Sequence, residues 1–152
     1  MFMAQPLTEL TESLFENWQQ QKFVLLGTID ADTGAPVQQA ISWIFARSRQ
    51  QLRLSVDSRS RIIEHLRSRS ECVITVFADE TVYAIQGQAT IHDDGLSDVP
   101  LKLSCIDVQI IAVRDIMYYG SRIAAEPVCE KTYDQRAAEK LDLQVFEAMK
   151  KA

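Results

Sequence analysis

The chain predicts a small, mainly β domain, a closed or nearly closed barrel with flanking helices. Three observations lead there. About six apolar β runs follow one another through turn residues, one short helical segment interrupts them after the third run, and amphipathic helical patterns stand at both ends. A chain of 152 residues, 47% hydrophobic and 24% charged, is the size of one globular domain and buries about two thirds of the surface its unfolded form exposes. No linker, repeat or low-complexity tract divides it, so residues 1–152 read as a single domain.

The elements follow in order. Leu7, Leu10, Leu14, Phe15 and Trp18 stand at helical spacing after Pro6, with Thr8 as the cap and Glu9 and Glu12 in the first turns. Phe23 to Asp30 is an apolar strand. Asp32-Thr33-Gly34 turns the chain, and Pro36 opens a second strand, Val37 to Ala46, with Val37, Ile41, Trp43 and Phe45 at odd positions and Gln38, Ala40, Ser42 and Ile44 on the other face. The third strand, Gln51 to Val56, alternates Leu52, Leu54 and Val56 with Arg53 and Ser55 and runs into the short helix. Cys72 to Ala78 and Val82 to Ile91 pair across Asp79-Glu80, and Leu103 to Val113 follows the looser Asp93-Asp94-Gly95. Thr132-Tyr133-Asp134-Gln135 resembles a capping box, and Ala138, Leu141, Val145, Ala148 and Met149 mark the stripe of a final helix. Cys72 to Phe77 is apolar on both faces and needs a second cover, from terminal helices or another subunit.

Composition excludes several classes of function. A net charge of −5 and a pI near 5.0 argue against nucleic acid or an anionic membrane as the main partner. No apolar run approaches the roughly 20 residues that span a bilayer, and Met1 to Pro6 has no basic region leading into an apolar core, so a cytoplasmic protein is expected. Cys72, Cys105 and Cys129 are widely spaced and read as buried free thiols, while His65 and His92 lack the spacing of a metal motif.

One local feature stands out electrostatically. In Val56-Asp57-Ser58-Arg59-Ser60-Arg61-Ile62-Ile63-Glu64-His65-Leu66 two arginines sit at the start of the short helix. A helix N-terminus already carries roughly half a positive charge, so Arg59 and Arg61 there call for an anion. The alternative is that Asp57 and Glu64 neutralise them locally.

The strand ending Gly27-Thr28-Ile29-Asp30, the Gly34-Ala35-Pro36 turn, the strand Ala40-Ile41-Ser42-Trp43, the Ser60-Arg61 helix start and the strand Gln86-Gly87-Gln88-Ala89 together resemble the pyridoxamine 5′-phosphate oxidase-like proteins of the FMN-binding split β-barrel fold. The resemblance covers about residues 20 to 92. It implies an FMN-dependent oxidoreductase acting on a small molecule, and a homodimer with FMN at its interface. It implies a cofactor site of Ala40, Ile41, Ser42 and Trp43 along the flavin, with Val56, Asp57, Arg59, Ser60 and Arg61 around the phosphate. In that family the flavin performs the redox step, so no acid–base pair or triad is required, and none is identified here. Trp43 reads either as a ring-stacking residue or as core, Ser42 as a donor to the cofactor or to its own sheet, and His65 as a proton donor or, by the commoner role, a structural residue on the helix surface. Tyr118-Tyr119 precedes Gly120, where the chain can approach a ligand or simply turn, and Gln86 and Gln88 face solvent or a subunit boundary.

The chain also departs from the pattern. Gln39, Ile44 and Ile62 stand where pyridoxamine phosphate oxidase itself carries cations, and Val82 where it carries a glutamine. The alternative is therefore a non-catalytic binding or sensing protein that holds flavin, haem or another ligand on the same scaffold.

Overall fold

The computed structural model describes residues 5–152; the reading of Met1 to Ala4 lies outside the described residues. Seven strands form one antiparallel sheet in the order β2-β1-β5-β6-β7-β4-β3. They are β1 (Val24–Ile29), β2 (Pro36–Ile41), β3 (Ile44–Ala46), β4 (Gln51–Asp57), β5 (Glu71–Ala78), β6 (Thr81–Ile91) and β7 (Leu103–Asp115). Three helices accompany them: α1 (Glu12–Glu16), α2 (Arg61–Ser68) and α3 (Gln135–Lys151).

The expected second strand is two strands. Only Ser42 and Trp43 separate β2 from β3, yet these two occupy opposite edges of the sheet. The sheet must curl until its edges meet at this bend, which makes a barrel with a split. The break has a local cause: the Ser42 carbonyl accepts from Lys22 N at 3.1 Å and Ile44 N at 2.9 Å, so it is turned out of the ladder. The β5–β6 hairpin turns on Asp79 and Glu80, both left-handed at φ 53° and 63°, the conformation that a two-residue hairpin with natural twist requires.

Strand alternation builds the interior from Val24, Leu26, Leu52, Leu54, Cys72, Ile74, Val76, Ile85, Ile106 and Val108, capped by Ile62, Ile63 and Leu66 of α2. Leu10, Leu14 and Trp18 plug it from the N-terminal side. Fully burying an aliphatic side chain of this size contributes about 1.5–3 kcal/mol. The first helix is shorter than its apolar spacing suggests. Thr11, not Thr8, caps it by accepting from Leu14 N, and Leu7 pairs with Val113 as an isolated bridge. Irregular chain can thus bury the same residues, with Trp18 Nε1 donating to the Ile44 carbonyl.

Helix α3 begins at Asp134, whose side chain accepts from Ala137 N, so the cap is Asp134 and not the Thr132 box. Its stripe of Val145, Phe146 and Met149 covers Phe45 and Leu103 on the outside of the barrel. Arg53, on the alternating face that reads as polar and outward, is thereby buried at 2% exposure. Its guanidinium donates to both oxygens of Asp107, at 2.7 and 3.1 Å, and to the carbonyls of Met149 and Ala152 at 2.7 Å each. A cation that satisfies the last carbonyls of α3 complements the negative end of that helix.

No helix among the described residues is long and apolar enough to cross a membrane. Cys72 and Cys105 are buried, and burial pushes their thiols up to about 12 and about 11. Cys129 corrects the expectation of three buried thiols: it is exposed, on the irregular segment between β7 and α3.

Candidate functional site

The site is assembled at the split. Ser55 N donates to the Trp43 carbonyl at 3.0 Å, which sets the Ser42–Trp43 bend beside the end of β4, and β4 leads through Ser58 and Arg59 into α2. Trp43 is therefore beside Ser55 at the end of β4, whereas Arg61 reaches the β1–β2 turn, at the other end of β2 from Ala40. Ser60 is the N-cap of α2, its hydroxyl accepting from Ile62 N at 3.2 Å, and Arg61 is the first helical residue. Arg59 precedes the cap and lies outside the helix.

The two arginines are paired differently. Arg59 folds back on Asp57, whose carboxylate accepts from Arg59 N at 2.8 Å and from its guanidinium at 3.2 Å. These bonds hold the Asp57 carboxyl below the usual carboxylate range and raise Arg59. Arg61 does not use Glu64. It reaches across to the β1–β2 turn, with Nη2 2.9 Å from Asp32 Oδ2 and 3.8 Å from Asp30 Oδ2. Asp30 is itself held below its usual range, first by the backbone N–H groups of Thr33 and Asp32 on its Oδ1 and further by Arg61.

His65 corrects the reading of a surface histidine. It is 5% exposed, with Nδ1 3.0 Å from Thr28 Oγ1. Its Nε2 is buried with no hydrogen-bond partner and faces Asp30 Oδ2 at 3.7 Å, beyond hydrogen-bond reach. The corner formed by Asp30, Asp32, Arg61 and His65 thus lacks one polar partner.

The remaining expected residues divide. Ala40 is exposed on β2, and Ile41 is half-buried against the interior. Val56 is interior, at 7% exposure. Trp43 turns toward α3: its Nε1 donates to Asp142 Oδ1 at 2.8 Å, and Lys131 completes that pair at 2.9 Å from Oδ2. Ile44 and Ile62 are core residues at 0% and 3% exposure.

A groove of 710 Å³ lies along the outer face of β1, β2, β5 and β6, and none of the nine expected residues lines it. Its walls include Gly27, Ile29, Gln38, Val73, Gln86 and Ile111, and the volume falls in the range of small-molecule sites. Ile111 is pushed outward by a bulge: Gln86 pairs with Ala112 and Gly87 with Ile110, which leaves Ile111 unpaired and exposed. Gly27 keeps the floor thin, since a Cβ there would stand 2.7 Å from Val73 Cγ1; on Gly87 a Cβ would run into Val108 on the interior side. Gln86 accepts from Arg114, and both are exposed. The groove ends at Ile29, one residue before the Asp30 turn.

A second cluster, His92, Cys105 and Asp107, has its ligating atoms within 4.8 Å of one another. Burial alone would push Asp107 up, but the bonds from Arg53 and from His92 Nε2, at 2.7 Å, outweigh it and hold the carboxyl below its usual range. With Arg53 on both its oxygens and Arg47 at 3.5 Å, Asp107 is committed to cations of the protein, and the cluster is a structural network.

The start of α2 offers a phosphate monoester the Ser60 hydroxyl and the Arg61 guanidinium, and the unpartnered His65 Nε2 lies one turn along the same helix, 3.7 Å from Asp30. Sequence reasoning missed Asp30 and Asp32, since both look like ordinary turn residues and their partner stands 29 positions away.

Comparison with known proteins finds the fold and nothing closer. No family profile matches the chain, and no curated protein does. Among solved structures, a pyridoxamine 5′-phosphate oxidase candidate from Lactobacillus delbrueckii is 21% identical with a TM-score of 0.60, over 73% of this chain and 99% of that one. An F420 reductase is 16% identical with a TM-score of 0.54, over 71% and 98%. A pyridoxamine 5′-phosphate oxidase-related, FMN-binding protein from Nostoc punctiforme is 15% identical with a TM-score of 0.50, over 60% and 72%. The chain has the split-barrel fold of these proteins, and the resemblance seen in its sequence holds at that level.

Proposed function

We propose that the protein is an FMN-binding oxidoreductase of the pyridoxamine 5′-phosphate oxidase-like kind, acting in the cytoplasm on a small molecule. The observation that carries this reading is Arg61, the first residue of a helix capped by Ser60, an exposed guanidinium added to a helix N-terminus that already favours an anion. Ser60 and Arg61 would hold the phosphate, and the Ala40 to Ser42 backbone would line the ring. FMN supplies the redox chemistry when bound; the chain contributes placement and exclusion of water. The names of the structural neighbours, one of them an FMN-binding protein, support the cofactor class. Purified protein is expected to be yellow and to release FMN, not FAD, on denaturation. A colourless protein that fails to take up added FMN refutes the reading.

A second reading has a specific observation in its favour. The family's cation positions at Ile44 and Ile62 are filled by core side chains, so those contacts cannot be recovered by rotation, and Arg61 is left to hold a phosphate with fewer helpers. A binding or sensing protein would tolerate this loss. Steady NADH or NADPH oxidation through bound flavin counts against it, and tight flavin binding with no turnover favours it.

The active form in this reading is a homodimer. Helix α3 covers the β3-β4-β7 half of the barrel, while the outer face of the other half leaves Leu25, Val73 and Phe77 only half-buried and Ile111 exposed. A second copy placed there buries this face by the same surface on both chains. Light scattering should return twice 17.2 kDa, and Ile111→Glu should return the single mass. A wild-type monomer at micromolar concentration overturns the assembly.

A further inference from the structure

We propose that the β1–β2 turn is a resident competitor for the cofactor phosphate: Asp32, backed by Asp30, holds Arg61 in a latch that an incoming phosphate must open. This deepens the FMN reading and rests on it. Arg61 Nη2 lies 2.9 Å from Asp32 Oδ2 and 3.8 Å from Asp30 Oδ2. Its only hydrogen-bond acceptor among the described residues is therefore a carboxylate from another element, although Glu64 shares its helix. The two carboxylates are built unlike each other. Asp30 is fixed, its Oδ1 taking the N–H groups of Asp32 and Thr33 at 2.8 and 3.1 Å. Asp32 is 77% exposed and makes no other side-chain bond among the described residues, so it can release Arg61 with no cost to the turn.

A second, independent observation points to the same corner. His65 Nε2 is buried, lacks a partner, and faces Asp30 Oδ2 at 3.7 Å. Its Nδ1 shares one hydrogen bond with the Thr28 hydroxyl; where the hydroxyl donates, Nε2 carries the ring proton 3.7 Å from a carboxylate it does not reach. While Arg61 holds Asp30 and Asp32, the histidine goes unsatisfied. When a phosphate takes the guanidinium, Asp30 keeps its place on the turn and its Oδ2, which no backbone N–H holds, is left to His65 alone. Affinity for the phosphorylated ligand is thereby set by competition inside the protein, and it is lower than Arg61 alone would provide.

The test is a fluorescence titration of FMN and of riboflavin into the full chain. Asp32→Asn should tighten FMN about two- to fivefold, the worth of one exposed ion pair, and leave riboflavin unchanged. In the Arg61→Ala background the Asp32→Asn gain should vanish, because there is no guanidinium left to release. If Arg61→Ala weakens FMN while Asp32→Asn does nothing, the latch is wrong and the phosphate site stands. A gain that persists in full without Arg61 also overturns the latch, since it then reflects simple repulsion between Asp32 and the phosphate. If Arg61→Ala leaves FMN binding untouched, the phosphate reading itself fails.

Discussion

Arg53→Met is expected to destabilise the protein by about 3 kcal/mol or more, the cost of leaving a buried carboxylate without its partner. The substitution keeps the side chain's bulk but removes two bonds to Asp107 and both bonds to the carbonyls at the end of α3. Asp107 then has His92 and Arg47 alone, and α3 loses its hold on the barrel over Phe45. Urea denaturation measures the loss, and for a chain of this size it corresponds to about 6–12 °C in Tm. Arg53→Met combined with Asp107→Leu should regain most of it, because the unpaired charge is removed with its partner. The pH dependence has a definite sign. The folded Asp107 carboxyl lies below its ordinary value, so its contribution is complete above the unfolded pKa and disappears as pH falls through the folded one. Wild type and Arg53→Met should therefore differ fully above about pH 4 and converge below it. An undiminished gap at pH 2 would show that packing, not the ion pair, holds the helix.

Arg61→Ala is expected to weaken FMN binding about tenfold or more, since a charge-assisted contact to phosphate contributes roughly 1.5–3 kcal/mol. Stability should change little, within about 0.5 kcal/mol, as the side chain is 61% exposed and its ion pairs are at the surface. Riboflavin is the control: without a phosphate it should bind poorly and be indifferent to the substitution. Equal loss of both ligands would assign Arg61 to the local fold. Arg59→Ala should do less, for Arg59 stands before the cap and is held by Asp57.

The sequence and the structure part company where a residue's partner is remote. Trp43 reads as a candidate for the flavin ring, yet its indole is bonded to Asp142, 99 residues later. His65 carries no apolar marker, and its burial follows from α2 lying across Thr28 of β1. Arg53 looks like the polar half of an alternating strand until α3 covers that face. Leu10, Leu14 and Trp18 were legible as core from their spacing alone, but spacing does not distinguish one helical turn from irregular chain that buries the same residues.

Local chemistry by itself determined the β runs and their turns, the barrel class, a short helix after the strand ending at Val56 and the need of its arginines for an anion. Each of these depends on residues within a few positions of one another, where periodicity and capping act. That Ser60 caps this helix and leaves Arg59 outside it came from the structure. Only the tertiary structure decided that one apparent strand serves both edges of the sheet across Ser42 and Trp43, and that the anion now beside Arg61 is Asp32. Closing a barrel joins elements that are far apart in the chain. Which carboxylate meets which cation then depends on sheet curvature and register, quantities that belong to the whole sheet and to no segment of the sequence.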